Sequence, residues 1–117
     1  MKTAYDPRHT ARQKVVEGLF SQSFLTQKTD NEKVKLIVEK LSEIDTTIVK
    51  IAPEFPVSNI NKVDLAILRQ AVYEIEFEKK APPKVIVDEA IELAKEYGSD
   101  SSPGFVNGAL GKLIKNG

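Results

Sequence analysis

The 117-residue chain has no cysteine, so disulfide scaffolds and thiolate metal sites are excluded. It has a single histidine, His9, so neither a Cys–His pair nor a Ser–His–Asp set can be assembled with any assurance, and no metal-ligand spacing stands out. No glycine-rich loop follows a strand, which removes phosphate cradles of the P-loop or dinucleotide kind. No apolar run is long enough to span a bilayer, and the opening MKTAYDPRHTARQK lacks the apolar core of a signal peptide. Neither an enzyme nor a metal or other cofactor is expected, nor a membrane partner, and the absence of cysteine fits a reducing cytoplasm.

Net charge is lacking too: seventeen basic side chains cancel seventeen acidic ones. The distribution is uneven. Lys2, Arg8, Arg12 and Lys14 face only Asp6 in the first fourteen residues, whereas acids gather in the middle of the chain. Such a chain can hold an anion at its basic end and a different partner elsewhere.

What is present is helical periodicity. Asp6 and Pro7 open a helix as N-cap and first position, and Ala11, Val15, Val16, Leu19, Phe20 and Phe24 form its apolar stripe. Thr29 and Glu32 carry a capping-box signature ahead of a second helix that buries Val34, Ile37, Val38, Leu41, Ile44, Ile48 and Ile51. Pro53 and Pro56 end it. Asn61 caps a third helix through Ile75, with Asp64 favourable in its first turn. Pro82 and Pro83 break again, KVIVDEAIELAKEYG forms a fourth helix closed by Gly98, and Ser102–Pro103 start a fifth. The class is all-α, a compact domain of about five main helices. The carboxylates Asp88, Glu89 and Glu92 read as a solvated helix face, an Arg69–Glu89 bridge between helices is expected, and Tyr73 reads as core with its hydroxyl on a polar partner.

Two features ask for a ligand. Arg8 and His9 sit in a first turn whose half-positive end disfavours cations, which phosphates would offset. The last helix spends Gly104, Gly108 and Gly111 on one edge although each interior glycine costs about 0.5–1 kcal/mol. Helix packing is the expected reason for Gly108, and a ligand at Ser101–Phe105 for the helix start. Asn107, amid apolar neighbours, is expected to bond a loop or helix end.

The motifs VDLAILRQAVYE, DEAIELAKEYG and FVNGALGKL occur in order between residues 61 and 113, with looser likeness in ARQKVVEGLFSQSF and IVEKLSEIDTTIVKIAPEF. In these the chain resembles the bacterial NusB family. The resemblance implies two packed helical subdomains, here 1–56 and 57–117 of a single domain, and a cytoplasmic RNA-binding antitermination factor. Such a factor pairs with NusE, a small-subunit ribosomal protein, on boxA-type single-stranded leader RNA, and reaches other Nus factors and RNA polymerase indirectly. The family's arginine-rich helix start falls on RHTARQK, where His9 and Thr10 stand in positions often occupied by arginine. The segment between Phe24 and Val34 is short where many members insert another helix. The residues expected at RNA are Lys2, Arg8, His9, Arg12, Ser101, Ser102, Gly104 and Phe105, the last partly exposed. Phe20 and Asp64 are expected at NusE. The basic start and Phe105 are expected to converge on one surface. The alternative is a protein-only or self-associating helical adaptor with weak or no RNA binding, and homodimerisation is left open.

Overall fold

The computed structural model describes residues 6–116, so Lys2 lies outside the described residues. Six α-helices are present among them, with no strand: α1 (Pro7–Gln22), α2 (Glu32–Glu39), α3 (Leu41–Ile51), α4 (Lys62–Tyr73), α5 (Pro83–Tyr97) and α6 (Ser102–Asn116). The all-α reading holds, and KVIV lies inside α5.

Local chemistry explains most boundaries. The Asp6 side chain accepts the Arg8 amide at 2.9 Å and Pro7 supplies the first helical position. That amide holds the Asp6 carboxyl below its ordinary range. Asn61 accepts from the amides of Val63 and Asp64, as expected. The Thr29–Glu32 box does not form. Asn31 caps α2 instead, accepting the Val34 amide, while Thr29 Oγ1 accepts the amide of Asn31. The expected single helix over 34–51 is broken at Lys40, whose amide bonds back only three residues to Ile37. No proline or glycine stands there; the two pieces pack on different partners, α2 on α1 and α4, α3 on α4 and α6.

Helix α4 is the hub. Nine of its twelve residues are buried, so it is covered nearly all round. Helices α1, α3, α5 and α6 pack against it, and α5 packs along α6. One apolar cluster runs from Val15 to Leu110, with Ile37, Ile44, Ile48, Ile67, Leu68, Ile86, Leu93 and Leu110 fully enclosed. Beyond Tyr73 the backbone loosens into a π-helical turn over Glu74–Glu78 that ends on Lys79 in the left-handed region at φ 55°. Tyr73 is buried and stacks on Phe77 with ring centroids 5.9 Å apart.

Gly98 ends α5 in an extended conformation, so its need for glycine is close approach. A Cβ there would stand 2.4 Å from Ser102 Oγ and 2.8 Å from the Ala94 carbonyl oxygen. The α6 glycines are different. Nothing lies within 4 Å of where a Cβ would sit on Gly104, Gly108 or Gly111, which corrects the packing role expected of Gly108. Asn107 is likewise exposed, not tied to a loop. Gly98→Ala should therefore destabilise by about 1–3 kcal/mol through overpacking. Gly108→Ala should stabilise by about 0.5–1 kcal/mol through helix propensity. Urea unfolding of both variants checks the opposite signs.

Candidate functional site

The inward edge of α1 carries polar side chains where an apolar stripe would be expected to continue. His9, Arg12, Val16 and Leu19 follow one face, and all four are buried. Arg12 donates to Glu74 through Nε at 2.7 Å and through a terminal nitrogen at 2.9 Å, a bidentate fork, and lies 3.6 Å from Glu89. Gln70 also donates to Glu74. His9 sits between two carboxylates, with Nδ1 2.8 Å from Glu89 and Nε2 2.9 Å from Glu96. Only the doubly protonated ring donates to both. The hydrogen bonds to Glu74 raise the affinity of the Arg12 guanidinium for its proton, against the effect of burial.

This arrangement corrects three expectations. His9 is not on an exposed helix start: it is 4 % exposed. Glu89 is not on a solvated face, because the spacing Ile86, Glu89, Ala90, Leu93 puts it on the buried stripe of α5. Arg69 does not meet Glu89; it forms a bidentate pair with Asp45 of α3 at 2.8 and 2.9 Å. The signal for the buried network was the helical register itself, which carries the stripe of α1 back through Arg12 to His9 and that of α4 forward from Ile67 to Glu74.

The outer edge of α1 lines a cleft of about 710 Å³. Ala11, Val15, Ala81, Pro82 and Val85 are its apolar lining, the cations Arg8, Arg12, Lys14, Lys33 and Lys80 stand around it, and the acids Asp6, Glu74, Glu78 and Glu89 line it too. Lys33 is held by Glu78 at 2.8 Å. Arg8 keeps 82 % of its side chain exposed beside Asp6, and Lys14 and Lys80 are exposed. Lys14 belongs to the basic start read from the sequence, whereas Lys80 does not, because its place in this cleft depends on where the 79–82 loop lies relative to α1.

The start of α6 forms a second, smaller groove of about 220 Å³ lined by Ile51, Ala52, Glu54, Gly104, Phe105, Gly108, Ala109 and Lys112. Phe105 is partly buried and meets Phe55 edge to face at 5.9 Å. Ser101 and Gly104 are exposed. Ser102 is fully buried and its hydroxyl accepts the Ser99 amide at 3.0 Å, so it faces the loop and not a ligand. No residue lines both clefts. Arg8 and Arg12 line the first cleft and Phe105 the second.

A third surface lies where α1 ends over the start of α4. Phe20 is partly buried against Phe24 at 4.9 Å, Phe24 and Leu25 are 63 % and 69 % exposed, and Lys62 lies over the Phe24 ring. Asp64 is buried, and its Oδ1 has no hydrogen-bond partner among the described residues. No group of three His, Asp or Glu side chains is arranged to hold a metal ion, and no helix is long and apolar enough to cross a membrane, among the described residues.

Fold and surface clefts together define a small all-helical module with its candidate sites at helix ends. Residues 25–115 match the NusB family, and the chain belongs to that family. Among curated relatives, the transcription antitermination protein NusB of Agathobacter rectalis is 47 % identical over 95 residues, 76 % of this chain and 72 % of that protein. The NusB of Lachnoclostridium phytofermentans is 49 % identical over 84 residues, 72 % of this chain but only 64 % of its own length. T. maritima NusB shares the fold with a TM-score of 0.85 at 33 % identity, over 98 % of this chain and 93 % of that one. A chain in a complex of the antitermination factors NusB and NusE with double-stranded RNA has the same fold, with a TM-score of 0.81 at 22 % identity, over 94 % of this chain and 97 % of that one.

Arg12→Ala should cost about 3–5 kcal/mol in denaturant unfolding, because it strands Glu74 in the interior. Arg8→Ala should stay within about 0.5 kcal/mol of the parent. On the far side of α1, the Tyr97 hydroxyl donates to Glu17 at 2.6 Å, and burial first, then that acceptor, pushes its pKa up to about 12. The raised value stabilises the fold below the ordinary tyrosine pKa of about 10, and that contribution is lost as pH rises toward 12. In ultraviolet titration the late phenolate step should vanish in Tyr97→Phe and move to lower pH in Glu17→Gln.

Proposed function

We propose that the protein is an RNA-binding transcription antitermination factor. Paired with NusE, it holds boxA-type single-stranded leader RNA in the cytoplasm and helps RNA polymerase read through terminators in ribosomal RNA operons. It works by binding, not by catalysis. The observation that carries this reading is the cleft along α1, where Arg8, Lys14 and Lys80 are exposed cations while the acids Glu74 and Glu78 of the same cleft are held by Arg12 and Lys33. A polyanion neutralises such a rim. Phe105, with Ser101 and Gly104, offers an aromatic and open backbone to a second part of the strand. Arg12 and His9 act behind the rim by fixing α1, because their donors are committed to Glu74, Glu89 and Glu96.

NusE docks, in this reading, on Phe20, Phe24, Leu25 and Asp64. Exposed aromatic and aliphatic side chains give the contact its apolar centre. Asp64 lies buried at the edge of this surface and places a negative charge beneath it.

Fluorescence anisotropy with boxA-type RNA and a scrambled control, with and without NusE and across salt concentrations, tests the proposal. Three phosphate contacts predict a slope of log K against log salt of about −2. The triple variant Arg8→Ala, Lys14→Ala, Lys80→Ala should flatten that slope, and NusE should tighten boxA RNA more than the control. Equal binding and an equal slope in the triple variant would remove the RNA face. The protein would then be a protein-only helical adaptor.

A further inference from the structure

We propose that Glu96 is a specificity-determining residue for RNA: its carboxylate marks the border of the binding surface and keeps polyanions off the seam between α1 and α5. This rests on the RNA-binding reading above and adds a repulsive element to it.

The polar network behind α1 does not balance. Arg12 and the doubly protonated His9 face three carboxylates, Glu74, Glu89 and Glu96. One negative charge is therefore in excess among these five side chains. Four of them are shut in, with side chains between 3 % and 11 % exposed. The Glu96 side chain is 38 % exposed, so the surplus meets solvent there. It is also held in place. His9 Nε2 lies 2.9 Å from both Glu96 oxygens, and Gln13 Nε2 donates to one of them at 3.2 Å. The neighbouring cation Lys95 turns to Glu92 at 3.7 Å.

The position of this charge divides the two sides of α1. His9, Gln13 and Glu17 follow one another at helical spacing along the seam with the end of α5. Glu17 is exposed and accepts from the Tyr97 hydroxyl, so the seam carries a second carboxylate beyond Glu96. The opposite side of α1 carries Arg8 and Lys14 along the cleft. A strand drawn by phosphate attraction alone has no fixed register and can settle on any part of the surface. A fixed carboxylate beside the cations penalises every placement that runs onto the seam. A strand held in register by base contacts stays on the cleft side and loses little. Glu96 thus weakens binding of the wrong RNA more than binding of the right one.

Fluorescence anisotropy of the full-length protein with NusE, on boxA-type RNA and a scrambled RNA of equal length, tests the assignment. Glu96→Gln removes the charge and keeps an oxygen for His9 and Gln13. It should tighten the scrambled RNA about three- to tenfold at low salt and boxA RNA less than about twofold. The salt slope for the scrambled RNA should steepen by about 0.7, one phosphate contact more, and the gain should fade at high salt. Glu96→Asp keeps the charge and should preserve the parent's ratio of the two affinities. So should Glu43→Gln, which removes an exposed charge from α3. Circular dichroism melts confirm that the variants fold. The border role is overturned, and the RNA reading stands, if Glu96→Gln leaves the scrambled RNA unchanged or weaker, or tightens both RNAs equally. The same holds if Glu96→Asp or Glu43→Gln acts like Glu96→Gln. If the parent binds no RNA, both fall.

Discussion

The bidentate pair between Arg12 and Glu74, extended through Glu89 to His9 and Glu96, is the constraint on which the surface depends. It ties α1 to the end of α4 and to α5 at a place where apolar side chains would slide more freely. Buried ion pairs are weak sources of net stability, because desolvation offsets most of their attraction. They are demanding about geometry, since one displaced partner leaves a charge in the interior. The consequence for α1 is rotational. With His9 fixed inward and Arg12 held at the back of the cleft, Arg8, Ala11 and Lys14 stand on its open side. The π-helical turn belongs to the same device, because it begins at Glu74 and turns the chain into the loop that brings Lys80 to the rim.

Much of the fold could be read from the residues because local rules and tertiary packing agree. Asp6–Pro7, Asn61 and Pro82–Pro83 mark helix starts by chemistry that needs no partner. The break at Lys40 could not be read: no residue there opposes a helix, and only the different partners of α2 and α3 demand it. Thr29 and Asn31 were both competent caps, and register chose Asn31. The site was harder. Polar residues at helical spacing look the same whether they face water or a buried carboxylate sixty or more residues away. His9 and Arg12 therefore read as RNA ligands, and Glu89 as part of a solvated helix face. The periodicity that places Val16 and Leu19 in the core also places His9 and Arg12 there, and a strict use of it would have found them.

The two clefts are lined by different kinds of residue. Arg8, Lys14 and Lys80 are the exposed cations of one cleft, and Phe105 meets Phe55 edge to face at the other. Between them the arginine position that looked most like a ligand, Arg12, serves as a strut. The thinned arginine cluster at RHTARQK is accordingly thinner than its letters suggest, with Arg8 as its exposed member, and Lys14 and Lys80 take up the charge. The glycine edge of α6, bare of any neighbour, belongs to the surface and not to the core.

The most direct measurement of this account is a double-mutant cycle on unfolding free energy with Arg12→Met and Glu74→Leu. If the pair is a buried strut, the double variant loses far less than the sum of the single losses, giving a coupling of about 1–3 kcal/mol. A coupling indistinguishable from zero would mean that Arg12 is solvated in the folded protein and available to a ligand, and the division of labour described here would be wrong.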